Sequence, residues 1–504
     1  MLRMIDDLAE ARQTILHRRG PGQVVLPDAV RQRIVEVFGE DLSAEQVVAR
    51  IVDRVRREGD AAVRDLTRRI DGAEPAALEV SRAEIKAACA KVSPRLVDAL
   101  KLAAERIRAF HARQMPRSWL EYEDGGALGQ VIRPLERVGI YSPKGASGYP
   151  STLLMAAIPA RVAGVREVVL AAPPFADGLP SPVTLAAADV AGVHRVFRVG
   201  GAQAIAALAY GTESVPRVDK LLGPGNVFVT LAKRLVAGDV AIDQLAGPTE
   251  TLIVADATAN PVWVAADLLA QAEHDALASA ILLTTSRALA EAVSAEVERQ
   301  IASLSRREIV EQSLARNGGA VVAPDLRTAL DLANEYAPEH LCLMVADAWS
   351  VVGLVRNAGG VFVGEQSPEA IGDYTAGPSH VMPTSGTARF SSPGNVWDFL
   401  KITSLFALSP EQVRAIGPAA VDLAEAEGLT AHAAAIRHRL GIDDSQDRQE
   451  MDSQDGQDRT DGQDGCKARG EYDCGLSARE SRSTPAISPL SCSSRQSCSS
   501  CESS

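Results

Sequence analysis

The most constraining feature of this chain is an alternation of short apolar strands and helices that begins near Val131. Segments such as REVVLAAPP, HRVFRV and KLLGPGN are typical of buried parallel strands, and helices predicted over Ala202–Tyr210 and Val227–Ala237 separate them. A second series follows, with strands predicted in TETLIVAD, ASAILLTT, GGAVVAP, HLCLMVA and GGVFVG. Because parallel strands require crossover helices, this order predicts an α/β fold with two mostly parallel sheets facing a cleft.

Helical segments flank the two series. Ser43 and Gln46 form a predicted capping box for one helix, Ser93 caps a second, and residues 408–440 form a final helical segment. We therefore expect five regions: an N-terminal helical segment (1–120), a first Rossmann-like domain (121–245), a second Rossmann-like domain (246–400), a C-terminal helical segment (401–442) and a tail (443–504).

Composition limits the classes of function. A length of 504 residues exceeds one ordinary core, and 46% hydrophobic with 23% charged residues is typical of a soluble globular protein. The net charge of -13 argues against nucleic acid or an anionic membrane as the main partner. The first residues, MLRMIDDLAEARQ, do not resemble a signal peptide, and a cytoplasmic protein is expected.

The tail differs in character from the rest of the chain. It contains the near-repeat SQDRQEMDSQDGQDRTDGQDG and then a stretch rich in Ser, Arg and Cys, with almost no aliphatic residues. Cys498 and Cys501 have metal-ligand spacing, but no aromatic or apolar residues surround them to build a site. Residues 443–504 are therefore predicted to be disordered and dispensable for chemistry.

Polar clusters interrupt the apolar sequence at four places. Only 8 histidines occur in the chain, and half of them lie in these clusters. Such clusters combine imidazole with carboxylate or amide oxygens, which suits a metal-dependent enzyme acting on a small polar substrate. The four clusters are Gln271 with His274, Glu339 with His340, Asp373 with His380, and Glu427 with His432.

Each cluster has an expected local setting and an ordinary alternative. Gln271 and His274 are three apart on a predicted helix and would share a face, although a polar helix end often looks the same. The pair at 339–340 lies at a helix-to-strand junction, where a surface turn is the alternative. The loop GDYTAGPSH would expose Asp373 and His380; the alternative is a solvated loop whose polar side chains only satisfy its own backbone. A helix break at Gly428 would turn Glu427 and His432 inward; the alternative is a solvated helix end.

The cofactor signal is indirect, because the chain contains no GxGxxG fingerprint. Two glycine-rich turns still stand at strand-to-helix junctions, at residues 199–203 and 223–226. Helix N-termini bind pyrophosphate through their free amides, so either turn could hold a dinucleotide or be an ordinary tight turn.

In order, these segments resemble the histidinol dehydrogenase family. The stretches that carry the resemblance are VGIYSPKG, PSTLLMAAIPA, VGGAQAIAALAYGT, GPGNVFV with AKR, IDQLAGPTE, LLAQAEHD, NEYAPEHL, GDYTAGPSHVMPTSGTARFSSP and EGLTAH. They run from about Glu45 to His438, which covers nearly everything except the tail.

The resemblance implies oxidation of L-histidinol to L-histidine through the aldehyde, with two NAD-linked steps and one zinc ion per subunit. Family roles carried onto matching positions make Glu339 and His340 the catalytic pair. Zinc would be held by Gln271, His274, Asp373 and His432; NAD would be bound by Tyr141, Gln203 and Asn226; and substrate would be bound by Thr249, His380 and Glu427 together with His340 and the zinc ligands. A homodimer is also implied, in which the C-terminal segment completes the partner's site.

One departure and two rival functions remain open. Thr249 stands where the family usually has serine, and this change keeps a hydroxyl while adding a methyl group. A related enzyme oxidising another small polar alcohol, such as a sulfonated diol, is the first rival, although an anionic sulfonate would favour a basic residue near Glu427. The second rival is a non-catalytic zinc or nucleotide sensor, against which the presence of both Glu339 and His340 argues.

Overall fold

The computed structural model describes residues 2–18, 26–145 and 148–442. The chain divides into two compact units, Met1–Leu408 and Ser409–Ser504. The predicted disordered tail, residues 443–504, lies outside the described residues. None of the described helices is both long and apolar enough to cross a membrane.

The first part of the chain is mainly helical, as its caps predict. The side chain of Ser43 accepts a hydrogen bond from the Gln46 amide in a full capping box, and Ser93 caps the longest helix of this region. The elements are β1 (Met4–Ile5), α1 (Leu8–Gln13), α2 (Asp28–Phe38), α3 (Ala44–Glu58), α4 (Asp60–Asp71), α5 (Arg82–Cys89), α6 (Pro94–Ala112), β2 (Trp119–Glu123) and β3 (Gly126–Pro134).

The first alternating series builds a parallel sheet of five strands. Its elements are β4 (Arg137–Tyr141), α7 (Pro150–Ala163), β5 (Glu167–Ala171), α8 (Pro182–Ala191), β6 (Arg195–Phe197), α9 (Gly201–Tyr210), β7 (Lys220–Leu222), α10 (Val227–Val236) and β8 (Ala241–Ile242). The strand order is β6-β5-β4-β7-β8, so the order reverses between β4 and β7. This is the Rossmann order 3-2-1-4-5 without a sixth strand, which confirms the predicted incomplete Rossmann-like sheet.

The second series builds another parallel sheet with the same internal order. Its elements are β9 (Glu250–Ala255), α11 (Pro261–Ala272), β10 (Ser279–Thr284), α12 (Arg287–Ile301), α13 (Arg307–Asn317), β11 (Gly319–Val322), α14 (Leu326–Tyr336), β12 (His340–Met344), α15 (Ala348–Val351), β13 (Gly360–Val363) and α16 (Glu369–Tyr374). The strand order is β1-β11-β10-β9-β12-β13. The N-terminal strand β1 therefore extends this sheet, a pairing that the sequence analysis did not predict.

Apolar side chains cover both faces of both sheets. In the first sheet, α6, α7 and α8 pack on one face, and α3, α9 and α10 pack on the other. In the second sheet, α11 and α12 cover one face, while α14 and α1 cover the other. The strands are consequently near-continuous apolar runs, as expected for parallel sheets that are buried on both sides.

A third sheet was not predicted. The strand β14 (Leu400–Ala407) pairs antiparallel with β3, which also pairs with β2. Most side chains of β2 and β14 are exposed, including the large apolar residues Tyr122 and Phe406. The sequence signal was weak because these strands do not alternate cleanly between apolar and polar residues.

The described part of the second unit is a pair of helices, α17 (Pro410–Ala426) and α18 (Thr430–Leu440). Ser409 caps α17 with a capping box, and the two helices lie within the final helical segment predicted over residues 408–440. Gly428 adopts a positive φ of 74° between the two helices, and Val421, Ala424 and Ala433 form a small core. This core is too small to explain the stability of the unit by itself.

Candidate functional site

A cleft of ≈ 640 Å³ lies in the first unit, and elements of both parallel sheets line it. The first sheet contributes residues at the carboxyl ends of its strands, including Tyr141 at the end of β4 and Asn226 beyond β7. The second sheet contributes residues at the amino ends of its strands, including Thr249 before β9 and Glu339 before β12. Ligands usually bind at the carboxyl ends of parallel strands, so the second sheet departs from that rule.

Glu339 is a buried carboxyl group with one side held in place. Its Oε2 accepts hydrogen bonds from the Thr249 hydroxyl at 2.6 Å and from the Glu250 amide at 3.0 Å. Burial raises the pKa of Glu339 to about 7, against the opposing effect of His340. A carboxyl group with such a pKa can accept a proton near neutral pH, which is what a general base requires.

His340, the first residue of β12, has its tautomer fixed by the backbone. Its Nδ1 lies 3.0 Å from the carbonyl oxygen of Glu250, and because a carbonyl can only accept, Nδ1 carries the proton. The other nitrogen, Nε2, is buried without a hydrogen-bond partner among the described residues, and it lies 4.0 Å from Oδ1 of Asp373. The bare Nε2 is therefore a proton acceptor that faces the cleft.

Asp373 and His380 are close together, but their setting differs from the expected loop. Asp373 lies in the short helix α16, so the irregular segment begins only after Tyr374. The Asp373 carbonyl accepts a hydrogen bond from His380 Nδ1 at 2.6 Å, and His380 Nε2 lies 3.1 Å from the Thr152 hydroxyl. Burial lowers the pKa of His380, which favours the neutral ring.

Gln271 and His274 do not share a helix face, contrary to the prediction. Helix α11 ends at Ala272, so His274 follows the helix and lies exposed in the cleft lining. Gln271 is fully buried and its amide contacts Thr249 instead of lining the cleft. The helix ends early because its backbone tightens, with the amide of Glu273 bonding to two carbonyls.

The residues proposed for NAD occupy different depths. Tyr141 and Asn226 line the cleft; the Tyr141 hydroxyl accepts from the Gly201 amide at 3.1 Å, and Asn226 caps α10. Gln203 is fully buried outside the lining and donates to Asp71 at 3.3 Å. Both glycine turns therefore open helices beside the cleft, at α9 and α10.

Glu427 and His432 belong to the second unit and flank the turn at Gly428. Both are exposed, so the break does not turn them inward as predicted. The reason is the small size of the described helix pair, whose core consists of Val421, Ala424 and Ala433 and covers neither residue.

The donor types present fit zinc, although the described residues do not form a complete site. Imidazole, carboxylate and amide oxygen are all suitable zinc ligands. Nε2 of His340, which has no hydrogen-bond partner among the described residues, lies 4.0 Å from Oδ1 of Asp373, so an imidazole nitrogen and a carboxylate oxygen approach each other at this part of the cleft. Among the described residues, no three His, Cys, Asp or Glu side chains are grouped closely enough to hold a metal ion.

Several polar residues near the cleft were missed by the sequence analysis. Thr152 contacts His380, and Asp71 lines the cleft with its pKa raised to about 6 by burial. Glu250 is paired with Arg18, which also donates to the carbonyl of Tyr336 at 2.8 Å. Glu369 lies beside His340, and its spacing of four from Asp373 on a helix was an available signal.

Two parallel sheets around a cleft that holds a buried Glu–His pair define an α/β enzyme with general acid–base groups. Residues 38–440 match the family model of histidinol dehydrogenase. Histidinol dehydrogenase of Deinococcus radiodurans is 56% identical over 434 residues, which cover 86% of this chain and 98% of that protein. The chain belongs to the histidinol dehydrogenase family, whose members are NAD-dependent oxidoreductases.

Two further comparisons agree with this assignment. Histidinol dehydrogenase of Moorella thermoacetica is 54% identical over 407 residues, covering 80% of this chain and 96% of that protein. The crystal structure of histidinol dehydrogenase from Elizabethkingia anophelis has a TM-score of 0.81 and 35% identity, and the match covers 87% of this chain and 98% of that one. The fold predicted from the sequence is thereby confirmed.

Proposed function

We propose that this protein oxidises L-histidinol to L-histidine through the aldehyde, with two NAD-linked hydride transfers and one zinc ion per subunit. The observation that carries the proposal is the buried Glu339–His340 pair, whose acid–base atoms face the same cleft as His274, Asp373 and His380. Family membership supports the oxidoreductase activity and the place in histidine biosynthesis. A cytoplasmic location belongs to the same proposal.

The first step requires removal of the proton from the substrate hydroxyl. Because Nδ1 of His340 is committed to the Glu250 carbonyl, Nε2 is the atom that accepts this proton. Hydride then leaves the carbinol carbon for the nicotinamide, giving the aldehyde. The carboxyl group of Asp373 lies beside the accepting nitrogen, with Oδ1 4.0 Å from Nε2 of His340.

The second step adds water to the aldehyde, since only the hydrate has a second hydride to give. Glu339 takes the proton from that water, and the raised pKa makes it a stronger base than an ordinary carboxylate. The Thr249 hydroxyl and the Glu250 amide hold Oε2, so Oε1 is the oxygen left to act on the water. Hydride loss from the hydrate then gives the carboxylate product.

Zinc and substrate would share the cleft. Zinc held at this site would supply a Lewis acid, for which the amine and imidazole of histidinol are suitable ligand types. The proposed zinc ligands are Gln271, His274, Asp373 and His432, and the proposed substrate contacts also include Thr249, His340, His380 and Glu427. Tyr141, Gln203 and Asn226 are proposed for NAD, with the amino terminus of α10 favouring its phosphates.

A homodimer with shared sites forms part of the proposal. Glu427 and His432 are exposed on the second unit, which leaves them available to a partner subunit. The antiparallel sheet exposes large apolar side chains on both of its faces, for example Tyr122 on one and Phe406 on the other. Exposed apolar patches of this kind mark interaction surfaces in soluble proteins.

The test measures the NADH formed per histidinol consumed, with and without a chelator, together with the zinc content. The wild type should form two NADH per histidinol and lose activity on chelation, whereas a sulfonated diol should not replace histidinol.

His274→Asn and His432→Asn should each lose zinc and activity, because too few ligands remain. His438→Asn, on the same helix as His432, serves as the matched control and should keep both. Stoichiometric zinc with normal turnover in either ligand variant would refute the metal assignment.

A further inference from the structure

Glu369 is a buried carboxyl group that the proposed chemistry does not use. It is the first residue of α16, only 2% exposed, and among the described residues no Lys or Arg forms an ion pair with it. Burial raises its pKa well above the ordinary value. Because an uncompensated buried carboxyl group destabilises a fold, its presence beside the cleft requires a reason.

The contacts of Glu369 join three elements. Its Oε2 accepts a hydrogen bond from the hydroxyl of Thr251 on β9. Its Oε1 lies 3.5 Å from Nδ1 of His340, the first residue of β12. The same Oε1 lies 2.5 Å from the side-chain amide of Gln271, near the end of α11.

The orientation of the Gln271 amide follows from its neighbours. The backbone amide of Glu250 is a donor 2.6 Å away, so the atom facing it must be the oxygen. The nitrogen of Gln271 then faces Glu369 Oε1 and donates to it. In the opposite orientation two donors would face each other at Glu250 and two oxygens would face each other at Glu369.

A single carboxyl oxygen therefore lies against both the catalytic histidine and the glutamine proposed to bind zinc. We propose that Glu369 is a positioning residue that fixes the Gln271 amide and the His340 ring relative to each other. By holding the nitrogen of Gln271, it determines where the amide oxygen lies. By standing next to Nδ1 of His340, it keeps Nε2 directed at the cleft. The zinc part of this inference rests on the proposed function.

Two substitutions separate position from charge. Glu369→Gln can keep an oxygen at the position of Oε1 but removes the charge, whereas Glu369→Asp keeps the charge and withdraws both oxygens by one methylene group. The positioning role predicts near wild-type zinc affinity and kcat for Glu369→Gln. It predicts a loss of about 10- to 100-fold in zinc affinity and in kcat for Glu369→Asp, a range typical of groups that orient metal ligands. The KM for NAD should change in neither variant.

The same two substitutions at Glu167 provide the matched control. Glu167 begins β5 and bonds to Arg137 at 2.6 Å, away from the cleft lining. Its variants should retain the zinc affinity and kcat of the wild type. Zinc affinity is measured by competition with a chromophoric chelator, kcat by NADH formation, and folding by melting temperature.

Three results would overturn the inference. Unchanged zinc affinity and kcat in Glu369→Asp, with only a lower melting temperature, would make Glu369 a structural residue. A loss in Glu369→Gln together with wild-type zinc affinity and kcat in Glu369→Asp would assign the effect to charge instead of position. A loss confined to the KM for NAD would place it in the cofactor site. If the wild type itself bound no zinc, the proposed metal role would fail, while kcat of the two variants would still decide the role of Glu369 toward His340.

Discussion

At the scale of single residues, the site depends on how buried polar atoms are satisfied. The carbonyl of Glu250 fixes the proton of His340 on Nδ1, and the amide of the same residue holds Glu339. Glu250 is in turn paired with Arg18, whose guanidinium stacks 3.7 Å from the centre of the Tyr336 ring. One backbone position thus orients both members of the proposed catalytic pair, Glu339 and His340.

The raised pKa of Glu339 leads to a prediction about pH. Since the deprotonated carboxylate is the base, oxidation of the aldehyde should slow as the pH falls below about 7, approaching tenfold per pH unit. Glu339→Gln should lose this dependence and oxidise the aldehyde poorly, while it still supports the first hydride transfer from histidinol. Single-turnover NADH traces on both substrates measure the two steps. Equal slowing of both steps would contradict the division of roles between Glu339 and His340.

Glu339→Gln should stabilise the fold at alkaline pH, although it slows oxidation of the aldehyde. The pKa of Glu339 is raised from 4.5 to about 7 on folding, so its stabilising effect is complete below pH 4.5 and is lost as the pH rises toward about 7. Above that range the charged, buried carboxylate costs at most about 3 kcal/mol. Glu339→Gln should therefore melt at a higher temperature than the wild type at pH 8, and the difference should shrink at pH 5.

At the scale of elements, the cleft depends on a tight turn after β7. Gly223 has a φ of 116°, and a Cβ added there would lie 2.1 Å from the carbonyl oxygen of Tyr141. Its amide donates to Asp243 at 2.8 Å, and Lys233 donates to its carbonyl at 3.0 Å. These contacts join the turn to the segment after β8 and to the last turn of α10.

Gly223→Ala should accordingly disturb both stability and NAD binding. We expect a loss of at least about 2 kcal/mol in unfolding free energy, because the new methyl group meets backbone that cannot rotate away. The KM for NAD should also rise, since Tyr141 and Asn226 adjoin the turn. Gly39→Ala is the control: its φ is 75° with nothing within 4 Å of the new Cβ, so only about 1 kcal/mol should be lost. Urea unfolding measures the free energy of unfolding of both variants. Equal losses in Gly223→Ala and Gly39→Ala would show that the close approach of Gly223 to the Tyr141 carbonyl is unimportant.

At the scale of the whole molecule, the exposed antiparallel sheet is the feature that a single chain does not explain. In the register of β2, β3 and β14, Leu120, Tyr122 and Leu405 lie on one face. Trp119 and Phe406 lie on the other face, and all five side chains are exposed. Apolar groups on both faces of a sheet are expected to be covered in an assembly.

If this sheet joins two subunits, charges placed on it should separate them. Tyr122→Glu combined with Phe406→Glu replaces side chains that are 79% and 78% exposed, so the fold of one chain should persist. The double variant should sediment as a monomer and lose activity, because each site would lack the residues supplied by its partner. Trp349→Glu changes an aromatic residue that is 77% exposed outside the sheet and should leave the assembly intact. A double variant that sediments like the wild type would exclude this sheet as the interface.

The amino-acid sequence predicts the two parallel sheets, the helix caps at Ser43 and Ser93, and the position of the Glu339–His340 pair at the start of a strand. These features follow from local patterns, in which apolar periodicity and capping residues act over a few positions. It did not determine the end of α11 before His274, because a helix pattern does not mark its last turn.

The contacts of the polar groups depend on the three-dimensional fold and cannot be read from local patterns. The cleft lies between the carboxyl ends of one sheet and the amino ends of the other, and strand patterns carry no information about which ends meet. The proton on His340, the orientation of Gln271 and the approach of Glu369 all depend on atoms that are distant in the chain, and buried hydrogen bonds are set by such neighbours. The third sheet depends likewise on the pairing of β14 with β3, which are far apart in sequence.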